Sequence, residues 1–196
     1  RYPIQAKRKV LYVHNPTQYL SKWKHRHYLY QHKPDVIFSG QYHASTWPRF
    51  LPNTAHHIIP YAVDNLFLQA TPRATPPPRA IFTSNPLRSL DWVLDIWQHQ
   101  IHPQCPSAEL HLYCGPSVYP GLAADKARAM QAILDQAHHL HSHGVIIHEP
   151  LPKHHLISAL KQSRVMLYRG DLGESFCLAL AEAQALGVHA VTANWE

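Results

Sequence analysis

The stretch Gly173-Glu174-Ser175-Phe176-Cys177-Leu178-Ala179-Leu180-Ala181-Glu182-Ala183-Gln184-Ala185 decides how this chain is read. Phe176, Leu178, Leu180 and Leu186, with alanines between them, predict a helix over 174–186 that is apolar almost all the way round and therefore buried. It nevertheless carries two carboxylates, Glu174 and Glu182, eight residues apart. On one helix that spacing is a little over two turns, so both side chains would lie on roughly the same side, about 12 Å apart along the axis. A buried carboxylate is costly unless something hydrogen-bonds to it. A ligand rich in hydroxyls and long enough to span that spacing would do so. The plainer readings are a helix N-terminal acid for Glu174 and an acid that escapes to solvent for Glu182.

Working outward, short apolar runs alternate with longer helical stretches. Strands are predicted at 10–13, 36–38, 57–59, 80–83, 110–114, 145–148, 165–168 and 188–192, and helices at 19–32, 87–99, 123–141, 154–162 and 174–186. Strands separated by helices predict right-handed crossovers and parallel sheets with helices on both faces. Residues 70–79, with prolines at 72, 76, 77 and 78, break both periodicities and read as a linker. The expected organisation is a first domain over 1–69, the linker over 70–79 and a second domain over 80–196.

Composition narrows the class. The 196 residues are 45% hydrophobic and only 15% charged, with 17 prolines and 18 histidines. No apolar run is long enough to cross a bilayer. Cys105, Cys114 and Cys177 are too few and too irregularly spaced for a disulfide framework or a zinc knuckle, and a reducing cytoplasm is the expected location. The net charge of +6 suits an anionic ligand or an acidic membrane surface.

Glu174 and Glu182, set in Arg169-Gly170-Asp171-Leu172-Gly173-Glu174-Ser175-Phe176 and followed by Ala181-Glu182-Ala183 and Ala185-Leu186-Gly187-Val188, resemble the E-x7-E signature of retaining glycosyltransferases of the GT-B fold, the group 1 or GT4-type family. Ile58 to Phe67 resembles that family's interdomain segment, with Ala62 where Gly is common. His111 to Pro116 resembles the strand that ends in a glycine at the cleft, here Gly115. Val145 to Pro152 matches the place where the nucleobase is held, and Glu149 lies there. The resemblance is good from Ile59 onward and loose before it.

The resemblance implies an α/β, GT-B-like fold of Rossmann-type parallel sheets, with the second domain nearly complete and the first partial. Both ends then look truncated, and efficient transfer by this piece alone is not expected. It implies transfer of a sugar from a nucleoside-diphosphate sugar to an acceptor hydroxyl with retention, in cell-surface polysaccharide or glycolipid synthesis. Glu174 would contact the donor sugar and Glu182 the ribose hydroxyls. Gly170, Asp171, Leu172, Gly173 and Ser175 would line the donor. In Ser84-Asn85-Pro86-Leu87-Arg88, Arg88 falls where the family's phosphate-binding Lys belongs, while Thr83, Ser84 and Asn85 occupy the place of its Arg. A guanidinium there would balance charge growing on the leaving diphosphate, and small polar residues at a helix start can offer backbone N–H groups. His14, at the end of the first strand, would face the acceptor.

No cofactor is expected beyond the nucleotide sugar, which is a substrate. No metal is expected either: His139 and His143 have a ligand-like spacing, but Gly144 ends the helix and no third ligand is in register. The stretch Lys22-Trp23-Lys24-His25-Arg26-His27-Tyr28 reads first as a solvated helix face. Among functional roles, contact with a membrane or a polyanionic acceptor is favoured over nucleic acid. The expected partners are thus the donor, a saccharide or lipid-linked acceptor, and a cytoplasmic membrane face. The rival activities are a synthase or phosphorylase on the same fold, and a basic nucleotide- or nucleic-acid-binding module without transfer chemistry. Two buried acids that repel phosphate speak against the last of these.

Overall fold

The computed structural model describes residues 6–52, 54–69, 75–171 and 173–193. The chain forms two compact units, one from residues up to 62 together with 173–177, the other from 63–171 together with 178–193. Among the described residues every paired strand is parallel, as strand–helix alternation requires. The result is the α/β fold expected from the sequence.

In the first unit, β1 (Val10–Tyr12), β2 (Asp35–Phe38) and β3 (His56–Ile58) form a sheet in that order. β2 alternates half-buried and buried residues, so Val36 and Phe38 share one face. They pack with Val13, Leu20, Leu29 and Leu51 into one core. The helix expected over 19–32 is interrupted. A 3-10 turn at Thr17–Ser21 ends at Lys22, which is extended at φ −63° and ψ 138°, and α1 (Trp23–His32) starts afresh. The turn is held by Thr17, whose buried hydroxyl donates to Thr46 O at 2.6 Å. A short helix not foreseen in the sequence, α2 (Gln41–Ser45), follows Gly40.

In the second unit, α3 (Asn65–Leu68) precedes β4 (Arg79–Phe82), α4 (Leu90–Ile96), β5 (Glu109–Tyr113), α5 (Ala124–His139), β6 (Val145–His148), α6 (Lys153–Lys161), β7 (Val165–Leu167), α7 (Leu178–Ala185) and β8 (His189–Val191). The sheet order is β6-β5-β4-β7-β8. β4 is central, and Ala80, Ile81 and Phe82 are all buried, as in a strand covered on both faces. The chain steps from β4 to β6 on one side, then returns to lay β7 and β8 on the other. The winding therefore reverses between β4 and β7, a topological switch point.

Two helix starts differ from expectation. α4 begins at Leu90 rather than Leu87, because the Asn85 carboxamide accepts the Leu87 N–H at 2.9 Å and Ser89 takes a left-handed φ of 63°. At its other end α4 widens into a π turn, Trp97–Ile101. α7 begins at Leu178, so Glu174 is not on the helix that carries Glu182, and the expected one-face arrangement of the two acids does not form. The reason is tertiary. Gly173 has φ 87°, which L side chains rarely adopt, and Ser175, through its hydroxyl and its carbonyl, is bonded into the first unit. Nor is α7 buried all round: Glu182 and Ala183 are buried, but Leu178 and Gln184 are exposed.

Candidate functional site

The carboxyl ends of the second unit's strands carry most of the residues singled out in the sequence. After β4 come Ser84, Asn85 and Arg88. Ser89 donates from Oγ to Gly170 O at 3.1 Å, tying the loop after β4 to the loop after β7 across the switch point. This spends the Ser89 hydroxyl, which makes no cap bond to α4. The Arg169 guanidinium lies 5.3 Å from the Trp92 ring centre on α4, a second tie between the same elements. The Arg169 carbonyl accepts from the Thr192 hydroxyl at 3.4 Å, which brings in the loop after β8. Gly170 has φ 84°, so a glycine lets the chain turn in this crowded place.

The loops after β5 and β6 also meet. A Cβ on Gly115 would sit 3.7 Å from Pro150 Cδ, an ordinary contact. Tyr119, in the loop after β5, has its phenol pushed up by burial and by the buried Cys114, and pulled back by the Arg88 guanidinium. Glu149 is exposed just after β6, and Asp171 is exposed after β7. Ser84, Asn85, Arg88, Gly115, Glu149, Gly170 and Asp171 thus share one edge of the sheet.

Glu182 is buried to 6% exposure. Its carboxylate is paired with the Lys153 ammonium at the first residue of α6. A lysine at a helix N-terminus faces the positive end of the macrodipole, an unfavourable place unless an anion is near. Glu182 is that anion. Lys153 Nζ also lies 5.7 Å from the centre of the Phe67 ring. Phe67 is fully buried on α3, whose first turn is capped by the Asp64 carboxylate accepting the Leu66 N–H at 2.9 Å. Two residues of the Ile58–Phe67 segment thus support the ion pair. The sequence reading missed Lys153; a lysine directly after Pro152 at a helix start was the signal available.

The remaining candidates belong to the first unit. His14 is exposed at the end of β1, hydrogen-bonded through Nδ1 to the Tyr61 hydroxyl and stacked on that ring at 8°. Burial and the neighbouring Tyr12 push the Tyr61 phenol up. The Ser175 hydroxyl donates to His14 O at 3.0 Å, and Phe176 meets Tyr61 edge-on at 5.5 Å. Gly173 and half-buried Glu174 lie in the same segment; a Cβ on Gly173 would come within 3.0 Å of Pro16. Leu172 lies outside the described residues. Fully buried His43, which the sequence reading also missed, organises this region. Its Nδ1 accepts from Ser39 N–H at 3.3 Å, so Nε2 carries the proton and donates to Asn15 O at 2.9 Å. Ser39 Oγ lies 3.0 Å from Ser175 O and donates to it.

Burial pushes the Cys114 thiol up to about 12, so it is no nucleophile at neutral pH. Among the described residues, no group of three or more His, Cys, Asp and Glu side chains could hold a metal ion. Among them, too, no helix is long and apolar enough to cross a membrane.

No family model matches the sequence, and no curated protein matches it. Solved structures match it in fold. A mutant of TarM from S. aureus, solved with fondaparinux, alpha-GlcNAc-glycerol and UDP, superposes with a TM-score of 0.66 at 14% identity, over 94% of this chain and 36% of that one. The pneumococcal O-GlcNAc transferase GtfA, solved with UDP and GlcNAc, gives 0.58 at 18% identity, over 94% and 37%. Sucrose-phosphate synthase from Thermosynechococcus elongatus gives 0.61 at 16% identity, over 81% and 40%. The chain spans 36 to 40% of the length of these three structures. The likeness establishes the GT-B-like parallel-sheet architecture that the E-x7-E stretch implied.

Proposed function

We propose that this chain is the donor-binding part of a retaining glycosyltransferase that takes a nucleoside-diphosphate sugar and passes the sugar to an acceptor hydroxyl. The observation that carries the reading is the switch point between β4 and β7, where Ser89 bridges to Gly170 and the chosen polar residues gather at one sheet edge. Ligands of open α/β sheets bind outside the carboxyl ends of strands at such a point. UDP in the similar TarM and GtfA structures supports a nucleotide as that ligand.

Each residue then has a chemical task. Arg88 offsets charge that grows on the diphosphate as the glycosidic bond breaks. Lys153 engages Oε1 of Glu182, which fixes the buried carboxylate in place and leaves Oε2 to accept from the ribose hydroxyls. Glu174 keeps the sugar-hydroxyl role that the resemblance gives it. The acceptor is a saccharide or a glycolipid, as in cell-surface polysaccharide synthesis.

Calorimetric titration with UDP, GDP and ADP tests the proposal. One of them should bind. Glu182→Gln should weaken it by about 1.5–3 kcal/mol, the loss expected for a hydrogen bond to a charged group. Affinity for the corresponding 2′-deoxynucleotide should change much less. Folded protein that gives no heat with any nucleotide would overturn the reading.

A further inference from the structure

His43 is fully buried on the short helix α2, yet it is not among the groups that the functional reading uses. A buried imidazole is costly unless its ring nitrogens are bonded. Here both are, and neither partner lies in α2. Nε2 donates to Asn15 O at 2.9 Å, in the loop after β1, and Nδ1 accepts from Ser39 N–H at 3.3 Å, at the end of β2. Ser39 Oγ has two acceptors within 3.0 Å, His43 Nδ1 and Ser175 O. The Ser39 N–H already supplies Nδ1, so the hydroxyl proton goes to Ser175 O. The Ser175 hydroxyl in turn donates to His14 O at 3.0 Å. His14 and Asn15 are neighbours in the chain, so the bonds close into a ring that runs through Asn15, His43, Ser39, Ser175 and His14.

The ring holds a segment with no regular structure of its own: residues 174–177 form neither helix nor strand. Gly173, just before Glu174, turns at φ 87°, and a Cβ there would meet Pro16 Cγ at 3.0 Å. Ser175, just after Glu174, is bonded through both its carbonyl and its hydroxyl. Phe176 meets Tyr61 edge-on at 5.5 Å, and Tyr61 stacks on His14. The backbone that carries Glu174 is therefore fastened on both sides to the stretch that carries His14.

We propose that Ser39 and His43 are positioning residues for sugar transfer: through Ser175 they fix the Glu174 backbone at a set distance from His14. This rests on the reading above, in which Glu174 takes the donor sugar, and on His14 facing the acceptor. Transfer needs its two partners held in one geometry, and a displacement of about 1 Å can cost on the order of a hundredfold. Directional hydrogen bonds suit that task better than apolar contact, which tolerates sliding. Neither Ser39 nor His43 need touch the sugar.

Ser39→Ala tests the proposal, because it removes one hydroxyl and leaves the bonds to His43 in place. Amide hydrogen exchange over residues 173–177, measured without ligand, should speed up while that of β2 does not. Calorimetry then compares a nucleotide sugar with its nucleoside diphosphate. The probe is the first of UDP-glucose, UDP-N-acetylglucosamine, GDP-mannose and ADP-glucose that the unaltered chain binds. Its affinity should fall about two- to tenfold, the net worth of one neutral hydrogen bond. Affinity for the nucleoside diphosphate, which relies on Arg88 and Glu182, should not move, whereas a general loss of structure would lower both. His43→Leu should give the same split. His43→Asn, whose carboxamide oxygen can still accept from Ser39 N–H, should restore most of the sugar affinity. Ser39→Ala decides the matter where His43→Leu does not fold. Unchanged exchange or unchanged sugar-nucleotide affinity in Ser39→Ala would overturn the inference and leave the functional reading standing. Failure of the unaltered chain to bind any of these nucleotides would overturn both.

Discussion

The two sheets are both parallel, yet they use their strands differently. In the five-stranded sheet, β4 and β5 are buried along three consecutive residues each, and their polar groups are kept to the strand ends or paired. In the three-stranded sheet only β2 alternates cleanly into a core; β3 is exposed at every position. Hydrophobic burial grows with area removed from water, at about 25 cal/mol per Å², so a strand covered on two faces holds its neighbours more firmly than one covered on a single face. The first unit makes up the difference with polar ties. Thr17 with Thr46, and His43 with Ser39 and Asn15, fix its loops where apolar side chains are few. One unit is ordered by its core and the other in large part by its buried hydrogen bonds.

The strongest way to break this comparison is a cavity in each core. Phe82→Ala, in the middle of the five-stranded sheet, should cost about 3–5 kcal/mol. Phe38→Ala should cost less, because its surroundings on β2 can collapse against half-exposed neighbours such as Trp47. Equilibrium urea unfolding of both variants measures the two values. Equal losses would show that the first unit relies on its core as much as the second.

A second variant sharpens the role of ion pairing. Lys153→Met keeps the stem of the side chain but leaves the Glu182 carboxylate without its ammonium. An unsatisfied buried acceptor costs about 1–3 kcal/mol, more where it is charged. The lysine is itself half-exposed, so the lower part of that range is expected. Glu182→Gln with Lys153→Met should recover part of the loss, because the buried charge is then gone. No recovery in the double variant would mean that Lys153 acts through Phe67 and packing rather than through the carboxylate.

How much of this could be read beforehand depends on the range of the interaction. Among the described residues the eight strands are legible within a residue or two, because runs such as Ala80-Ile81-Phe82 and Val145-Ile146-Ile147 have few other uses. The sheet order is not local, and nothing in β4 itself says that β7 will pair with it. The Gly173–Ala185 stretch shows the limit well. Its composition identifies α7 and the buried Glu182, but Ser175's bonds to Ser39 and His14 span more than a hundred residues and cost the helix its first turn. Arg88 and Gly170 were visible as types. The Ser89–Gly170 bond that brings their loops together was not, since a serine before a helix usually caps it.

The smallest expected effect concerns pH and again separates the two sheets. On β5 and β6 a chain of groups runs from Arg79 through Glu109 and His111 to His148. Arg79 lies 3.0 Å from Glu109, the His111 Nε2–H donates to Glu109 at 2.9 Å, and the His148 Nε2–H donates to His111 Nδ1 at 2.9 Å. Tyr113 stacks on His148 at 4.4 Å. Burial holds both histidines below the usual imidazole value: His148 is lowered further by His111 and then Arg79, while for His111 the hydrogen bond to Glu109 opposes burial and Arg79 adds to it. In the fold each takes up its proton at lower pH than in the unfolded chain, where the imidazole value is 6.5. Their contribution is therefore complete above about pH 6.5 and is lost as pH falls from there toward their folded values. Glu109 works in a lower window. Its hydrogen bond from His111, then Arg79, hold it below 4.5, so its share is lost only as pH falls through that depressed value. His148→Gln keeps a donor for His111 but cannot titrate. Between about pH 7.5 and 5.5 the fall in melting temperature should be smaller in this variant, because one of the histidines held low has been removed. In the first unit His56 is also held low, by burial and by His57, but it lies on the exposed β3 and has no such relay. An unchanged acid response in His148→Gln would move the sensitivity from the well-covered sheet to that exposed strand.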